Sequence, residues 1–156
     1  MVIAYANHAV REDGADSYPR LADTDYRGNR LAVDKVQRPG NALAFGSPEV
    51  QVIDEIRPEP QDYMIWKQRW SPFFQTHLEL SLRTRGIDTI ILNGGSVEVG
   101  IAATVYAIQA LDFQLVIVSD GCTSSRSACR DALMGQVFPI IGRIRTTDQV
   151  LEILSS

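Results

Sequence analysis

Lys67 and Arg69 are two residues whose types and positions could serve catalysis. They follow the apolar run Tyr63–Trp66 in the segment YMIWKQRWSPFF, and ligands of open parallel sheets bind beyond the carboxyl ends of the strands. A lysine at such a place can neutralise developing negative charge or, when it is desolvated, donate a proton. A surface lysine packed between aromatic side chains is the plainer alternative.

A glycine turn in the segment LNGGSVEVGIAATV could bind an oxyanion or a carboxylate. Residues 93–96 connect an apolar run to a helical pattern, so free backbone amides and the positive end of the helix dipole face any ligand there. The segment matches neither a Walker loop nor the GxGxxG pattern, and it gives no specific indication of nucleotide binding. An ordinary tight turn is the alternative.

Four further polar residues have simpler explanations. Asp120 ends an apolar run, where it could orient a partner or cap a turn. Cys122 could be a nucleophile, but no histidine is near it in the sequence, and idle buried thiols are common. His8 follows the first apolar run, at the edge of the sheet where the strands end. His77 lies in a helical pattern away from that edge. We therefore predict neither a metal site nor a cofactor.

The composition predicts one soluble globular domain. The chain has 156 residues, of which 45% are hydrophobic and 22% charged, and its net charge is −4. The negative charge argues against a nucleic-acid or membrane surface, and no apolar run approaches the ~20 residues of a membrane helix. No signal peptide is visible, and the two cysteines are too few for a disulfide framework. These features indicate a cytoplasmic protein.

Apolar runs that alternate with helical patterns predict an α/β fold with a mostly parallel sheet. The runs are continuous, as expected for strands that are covered on both faces. The irregular residues 8–46 suggest a lid, an interface or partial disorder. The predicted strands are Val2–Ala6, Tyr63–Trp66, Thr89–Leu92, Leu115–Val118 and Val137–Ile141.

Serine or threonine marks the start of each predicted helix. Proline follows the serine in the first two, and the last has a Thr146–Gln149 capping box. Gly86 stands where a left-handed residue would end the second helix. We predict that the third buries Val97, Ile101, Val105 and Ile108. The starts are Ser47, Ser71, Ser96, Ser124 and Thr146, and the fourth helix is expected to run to Leu133 and end near Gly135.

The segment from KQRWSPFF to SDGCTS resembles the core of the isochorismatase-like hydrolases. Its most specific part is the lysine followed by an aromatic-Ser-x-Phe helix start, and the opening VIAYANHAVREDGADS and the closing IRTTDQVLEIL are also similar to that family. The resemblance implies a Rossmann-like, three-layer α/β/α sandwich, a single domain over residues 1–156 and a homo-oligomer, dimeric or larger. It also implies a small-molecule substrate.

Many members of that family are amidases with an Asp, Lys and Cys triad. The resemblance places their lysine on Lys67 and their cysteine on Gly100, and a glycine cannot act as a nucleophile. The isochorismatase branch resembles this chain in having glycine there, and it hydrolyses a vinyl ether without a thiol. Family members often have a cis peptide at the glycine turn. The predicted substrate-binding residues are Gly95, Ser96, Arg69, Trp70, Phe73 and Glu98.

The catalytic aspartate of the family has no match in this sequence. It lies on the first strand of the family, and we expect this chain to begin at the second, so that the domain is short at its N-terminus. Glu98, Asp13 or Asp16 could substitute for it. A neighbouring chain, a rearranged strand or a start upstream of Met1 would have to fill the resulting gap in the sheet.

Two hypotheses about function follow. The first is a cysteine-independent hydrolase of a small metabolite, in which Lys67 and an oxyanion-type turn at Gly95–Ser96 converge on one cavity. The second is a non-catalytic relative that binds a ligand or forms oligomers after losing the aspartate and the cysteine. A doubly wound nucleotide or flavin binder is a weaker third possibility.

Overall fold

The computed structural model describes residues 1–16 and 43–156, which form two compact units, Met1–Thr76 and His77–Ser156. Each unit contains its own sheet, and every strand pair within the described residues is parallel. The predicted α/β class with parallel sheets is therefore confirmed. The prediction of a single domain over residues 1–156 stays a prediction. Most of the irregular segment 8–46 lies outside the described residues.

The first unit is built on two parallel strands. Strand β1 covers Ala4–His8 and β2 covers Tyr63–Lys67, in a register that pairs each residue from Ala4↔Tyr63 to His8↔Lys67. Both predicted strands are confirmed, and each continues one or two residues further towards its carboxyl end. Ile65, at the centre of β2, is completely buried.

The prediction of a helix that begins at Ser47 is wrong. The structure has two single 3₁₀ turns instead, Pro48–Val50 and Asp54–Ile56. Val50 is buried, but Ile53 and Ile56 are more than half exposed. Without a buried stripe that continues beyond the first turn, nothing stabilises a longer helix here.

The helix predicted to begin at Ser71 starts later, as α1 over Leu78–Arg83. Residues 71–77 form turns, because Gln75 has a left-handed backbone with φ of 53° and interrupts the helical hydrogen bonds. The Ser71 hydroxyl accepts a hydrogen bond from the amide of Phe73 instead of capping a helix. Gly86, with φ of 66°, lies just beyond α1 in the left-handed conformation that was predicted.

The second unit contains a three-stranded sheet in the order β3–β4–β5. Strand β3 covers Thr89–Gly95, β4 covers Gln114–Thr123 and β5 covers Arg143–Arg145. The predicted strands at Thr89 and Leu115 are thus confirmed, and both extend further towards their carboxyl ends.

The helix after β3 opens with a π-helical turn, Val97–Ile101, and continues as α2 over Ala102–Ala110. All four residues predicted to be buried along it, from Val97 to Ile108, are no more than 4% exposed. This element is confirmed in both its position and its buried face.

The predicted strand Val137–Ile141 is wrong. Helix α3 covers Ser127–Ala132, a π-helical turn covers Leu133–Val137, and α4 covers Phe138–Ile141. Pro139 fits the first turn of a helix but would remove a hydrogen bond from a central strand. The fourth predicted helix was expected to run from Ser124 to Leu133 and to end near Gly135. It begins later, at Ser127, and the helical segment continues beyond Gly135 to Ile141.

The closing helix α5 covers Thr147–Ser155, and Thr146 forms the predicted capping box with Gln149. Val150 is buried, whereas Leu151 and Leu154 are about half exposed. Within residues 1–16 and 43–156, no helix is long and apolar enough to cross a membrane.

Candidate functional site

Three basic side chains lie at the carboxyl edge of the two-stranded sheet in the first unit. His8 and Lys67 are paired residues at the ends of β1 and β2, and Arg69 follows two residues later. All three are half-buried. The Lys67 ammonium donates to the Arg69 carbonyl over 3.3 Å, and the Arg69 guanidinium donates to the carbonyls of Asp16 and Gln68 over 2.9 and 2.8 Å.

The pKa values of this cluster are shifted by burial. Desolvation lowers the pKa of Lys67. Desolvation also lowers the pKa of His8, and the positive charges of Lys67 and Arg69 lower it further, against a smaller opposite effect of Asp16. Both shifts favour loss of a proton, and burial is the largest cause of each, so water has reduced access to these two side chains.

The aromatic residues near Lys67 differ in exposure. Trp70 is half exposed and Phe73 is half-buried. On β2, the ring of Trp66 packs edge-on against Phe45 at a centroid distance of 4.9 Å. Phe45 thus supports the strand that carries Lys67, which the sequence did not indicate.

The glycine turn of the second unit connects β3 to its helix through a cis peptide between Gly95 and Ser96. The cis peptide implied by the resemblance is therefore found. A Cβ atom on Gly95 would lie 2.6 Å from the Thr123 hydroxyl oxygen, and Gly94 has a φ of 126°. The close approach to β4 and the left-handed backbone together explain the two consecutive glycines.

Glu98 lies in the first turn after Ser96, and its side chain is hydrogen-bonded to the loop that follows β4. Its carboxylate accepts hydrogen bonds from the hydroxyls of Ser124 at 2.6 Å and Ser125 at 3.4 Å. Desolvation raises the pKa of Glu98, but the hydrogen bonds from Ser124, its own amide and Ser125 lower it more, and the net shift is downward. Glu98 is thus held as a carboxylate, which does not suit a proton donor.

Gly100, on which the resemblance places the family cysteine, lies in the π-helical turn. Its carbonyl accepts a hydrogen bond from the buried Thr104 hydroxyl at 2.6 Å. The one cysteine of β4, Cys122, is buried, and burial raises the pKa of its thiol. A raised pKa disfavours the thiolate that nucleophilic attack requires.

The other carboxylates singled out in the sequence, two possible proton donors and the possible turn cap Asp120, are also engaged. Asp13 forms an exposed ion pair with Arg11 at 2.7 Å, and the hydrogen bond from Arg11 is the main cause of its lowered pKa. The Asp16 carboxylate accepts from the Arg11 amide at 2.7 Å. Asp120 accepts from both the amide and the hydroxyl of Thr147, so it caps α5.

A cavity of about 440 Å³ in the second unit lies away from every predicted site residue. Its polar lining includes Thr89, Gln114 and Arg143, the first residues of the three strands. Ligands of parallel sheets bind at the opposite, carboxyl end. Among the described residues, no three His, Cys, Asp or Glu side chains are grouped as a metal site would require.

The structure thus places the predicted site residues in two groups. Lys67, Arg69, Trp70 and Phe73 belong to the first unit, and the residues from Gly95 to Gly100 belong to the second. The convergence of the two groups on one cavity stays a prediction. Sequence reasoning considered His8 only as a metal ligand and missed its pairing with Lys67, which depends on strand register.

Sequence comparison identifies relatives over most of the chain. The uncharacterized isochorismatase family protein YwoC of Bacillus subtilis is 31% identical over 150 residues, which cover 96% of this chain and 72% of YwoC. The uncharacterized isochorismatase family protein YecD of Escherichia coli O157:H7 is 38% identical over 93 residues, covering 60% of this chain and half of YecD. The ureidoacrylate amidohydrolase RutB of Acinetobacter baylyi is 36% identical over 83 residues, covering 53% of this chain and 34% of RutB.

The fold is similar to that of solved structures. A cysteine hydrolase from Pseudomonas syringae matches with a TM-score of 0.82 and 24% identity, over 99% of this chain and 72% of that protein. The sequence model of the isochorismatase domain matches residues 2–149. Because that match covers nearly the whole sequence, this chain belongs to the isochorismatase family of hydrolases.

Proposed function

We propose that the chain hydrolyses a small polar or carboxylated metabolite without a thiol nucleophile. In this proposal Lys67 stabilises the negative charge that develops on the substrate, and the Gly95–Ser96 turn binds a substrate oxygen. Arg69, Trp70, Phe73 and Glu98 contribute to substrate binding.

The observation that carries the proposal is the environment of Lys67. Its ammonium is half-buried at the carboxyl end of β2, its pKa is lowered by desolvation, and its hydrogen bond goes to the neutral carbonyl of Arg69. Keeping a charged group partly out of water lowers the stability of the folded chain. A desolvated cation also stabilises developing negative charge more strongly than an exposed one, and such shifted groups are concentrated at functional sites.

The absence of a thiol mechanism is supported by two residues. The resemblance places the family's nucleophile on Gly100, and Cys122 is buried with a raised pKa. Without a thiol, water would attack the polarised bond directly, and the protein would act by stabilising the charge that develops on the substrate. RutB is named an amidohydrolase that acts on ureidoacrylate, so substrates with amide and ureido groups belong in a screen together with vinyl ethers and esters.

The test is turnover of such a panel by the wild type and by Lys67→Met. We expect the variant to lose about 10²–10³ in kcat/KM, as when one charge-stabilising donor is removed. We also expect the variant to be at least as stable towards urea, because it no longer buries a charge. A Lys67→Met protein that keeps full activity contradicts the proposal, and one that loses activity only by unfolding indicates a structural lysine.

Lys67→Arg separates the two roles that a lysine can have. An arginine keeps the positive charge but does not release its proton near neutral pH. Retained activity would indicate charge stabilisation, and loss equal to that of Lys67→Met would indicate proton donation. Arg57→Gln is a matched control, because Arg57 is an exposed cation of the same unit, ion-paired to Asp54.

A non-catalytic, ligand-binding or oligomer-forming relative is the second candidate. It is favoured by the downward pKa shifts of Asp13 and Glu98, which leave neither suited to protonate a leaving group. Absence of any saturable, Lys67-dependent rate across the panel would select this candidate. Homo-oligomerisation and a cytoplasmic location stay predictions under both.

A further inference from the structure

The cavity at the amino ends of β3, β4 and β5 has the size and lining of a small-molecule site. Its volume of about 440 Å³ lies within the range of ligand pockets, roughly 300–1,000 Å³. Such pockets are mostly apolar and contain a few polar groups that orient the ligand. The apolar lining residues here are Leu115, Val116, Pro139, Ile140 and Ile141.

Strand register places the three polar lining residues on one face of the sheet. Thr89 is paired with Gln114, and Arg143 is paired with Val116, two residues further along β4. Side chains two residues apart on a strand lie on the same face, and so do those of paired residues on neighbouring strands. Thr89, Gln114 and Arg143 therefore form a row across the three strands. Sites on paired strands are more precise than sites on loops.

The apolar wall of the cavity is also fixed to the sheet. A Cβ atom on Gly142 would lie 2.9 Å from the Leu115 carbonyl oxygen, so the backbone between α4 and β5 packs directly on β4. Ile140, in α4, is 84% exposed, and Val116 is half-buried. Covering these side chains with an apolar group would be favourable, because it withdraws their surface from water.

Arg143 adds a positive charge that has no partner among the described residues. Its side chain is exposed and makes no hydrogen bond, ion pair or ring contact within residues 1–16 and 43–156. The Asp88 carboxylate accepts from the Thr89 hydroxyl at 2.7 Å, on the β3 side of the row. Because neighbouring strands are about 4.8 Å apart, β3 lies about 10 Å from β5. One available cation suits a ligand with a single negative charge.

We propose that this cavity binds an aliphatic monocarboxylate, as a second ligand site separate from the residues of the proposed reaction. The planar guanidinium of Arg143 matches the two carboxylate oxygens, and the Gln114 carboxamide can donate to the same group. The aliphatic chain covers Ile140 and Val116. The inference does not depend on the proposed function, because Lys67 and the Gly95–Ser96 turn lie at the carboxyl ends of their strands.

The test is a titration of the full chain with three probes, followed in the ¹⁵N–¹H spectrum of the backbone amides. The probes are hexanoate, the uncharged hexanamide, and acetate, which lacks the longer chain. We expect hexanoate to shift the amides of Gln114, Gly142 and Arg143 saturably. It should bind about tenfold more tightly than either other probe, because hexanamide lacks the charge and acetate lacks the apolar contact.

Four variants localise the binding. Arg143→Gln should weaken hexanoate binding about tenfold, to the level of hexanamide. Ile140→Ser should weaken hexanoate binding several-fold and leave acetate binding unchanged, and the exposure of Ile140 means that the core is not altered. Lys67→Met, which removes the cation of the proposed reaction, and Arg57→Gln, which removes an exposed arginine elsewhere, should both leave hexanoate binding unchanged.

Each outcome decides the inference. It is overturned if hexanoate causes no saturable shift of these amides or binds no more tightly than hexanamide. Hexanoate binding that is unchanged in Arg143→Gln, or lost in Lys67→Met, would also overturn it. If Arg143→Gln does not fold, Arg143→Lys replaces it, and weaker hexanoate binding in both Arg143→Lys and Ile140→Ser supports the site. Selective hexanoate binding by a chain that hydrolyses nothing would support this site and refute only the proposed function.

Discussion

Gly142→Ala should destabilise the sheet of the second unit by a clash with its central strand. A Cβ atom at this position would lie 2.9 Å from both Cγ and the carbonyl oxygen of Leu115 and 3.0 Å from its Cβ. Ordinary contacts are about 3.5–4 Å, so β5 would have to move by about 0.5–1 Å. Leu115 is 4% exposed and lies in β4, between β3 and β5. Overpacking of this kind costs about 1–3 kcal/mol.

Gly135→Ala is the matched control, because nothing lies within 4 Å of a Cβ built there and the residue is helical. It should gain about 0.5–1 kcal/mol, the usual advantage of alanine over glycine in a helix. Urea unfolding followed by circular dichroism gives both values, and Gly142→Ala should also lower Tm by about 3–10 °C. The reasoning is refuted if Gly142→Ala is as stable as the wild type, or if both substitutions shift the midpoint equally.

Two further predictions concern the connection between β4 and α5. Thr146→Ala should lower the free energy of unfolding by about 1 kcal/mol, because the hydroxyl that accepts from the Gln149 amide is lost; Thr146→Ser keeps that acceptor, and equal urea midpoints for the two variants would contradict this role. Asp120→Asn should flatten the loss of stability on acidification. The hydrogen bond from the Thr147 amide is the main cause of the lowered pKa of Asp120, so its carboxylate stabilises the folded chain above the unfolded-state pKa. That contribution disappears as the pH falls through the folded-state pKa, and parallel stability curves for wild type and variant would argue against it.

Three of the elements that the sequence predicted correctly had two agreeing signals. The strand at Thr89 has a continuous apolar run followed by glycines, and the helix after Ser96 has an apolar stripe that is buried along its whole length. The last helix has both a capping box and a buried Val150. Local chemistry and burial favoured the same structure in each case.

The elements predicted wrongly had one signal that tertiary contacts overrode. The run Val137–Ile141 is short and apolar, which fits a strand or a buried helix equally. In the structure Phe138 is completely buried and Ile140 is 84% exposed, and Pro139 lies in the first turn of α4. The two Ser-Pro pairs predict helix starts, but a serine followed by proline can also begin a simple turn. Ser71 does so in the structure, where its hydroxyl accepts a hydrogen bond from the Phe73 amide.

The candidate site could be predicted only where it depends on residue type and chain order. Lys67 and the Gly95–Ser96 turn follow apolar runs, so their positions at strand ends could be inferred. The pairing of His8 with Lys67 depends on strand register, and the Glu98–Ser124 hydrogen bond joins residues 26 apart. Neither has a local sequence signal, because both arise from packing between distant segments.

The directions of the pKa shifts restrict the source of the proton that hydrolysis of a vinyl ether or an amide would require. Asp13, Glu98 and Asp120 all have lowered pKa values, so each is ionised when a proton is needed. Cys122 is shifted upward, but its thiol is buried. Desolvation of Lys67 makes its ammonium a stronger acid than an exposed lysine while leaving it next to neutral carbonyls. Of these five groups, only Lys67 combines a proton that an ordinary lysine retains at neutral pH with a shift that favours releasing it. In the proposed function, this one residue would serve both as the charge that stabilises an oxyanion and as the acid that neutralises it.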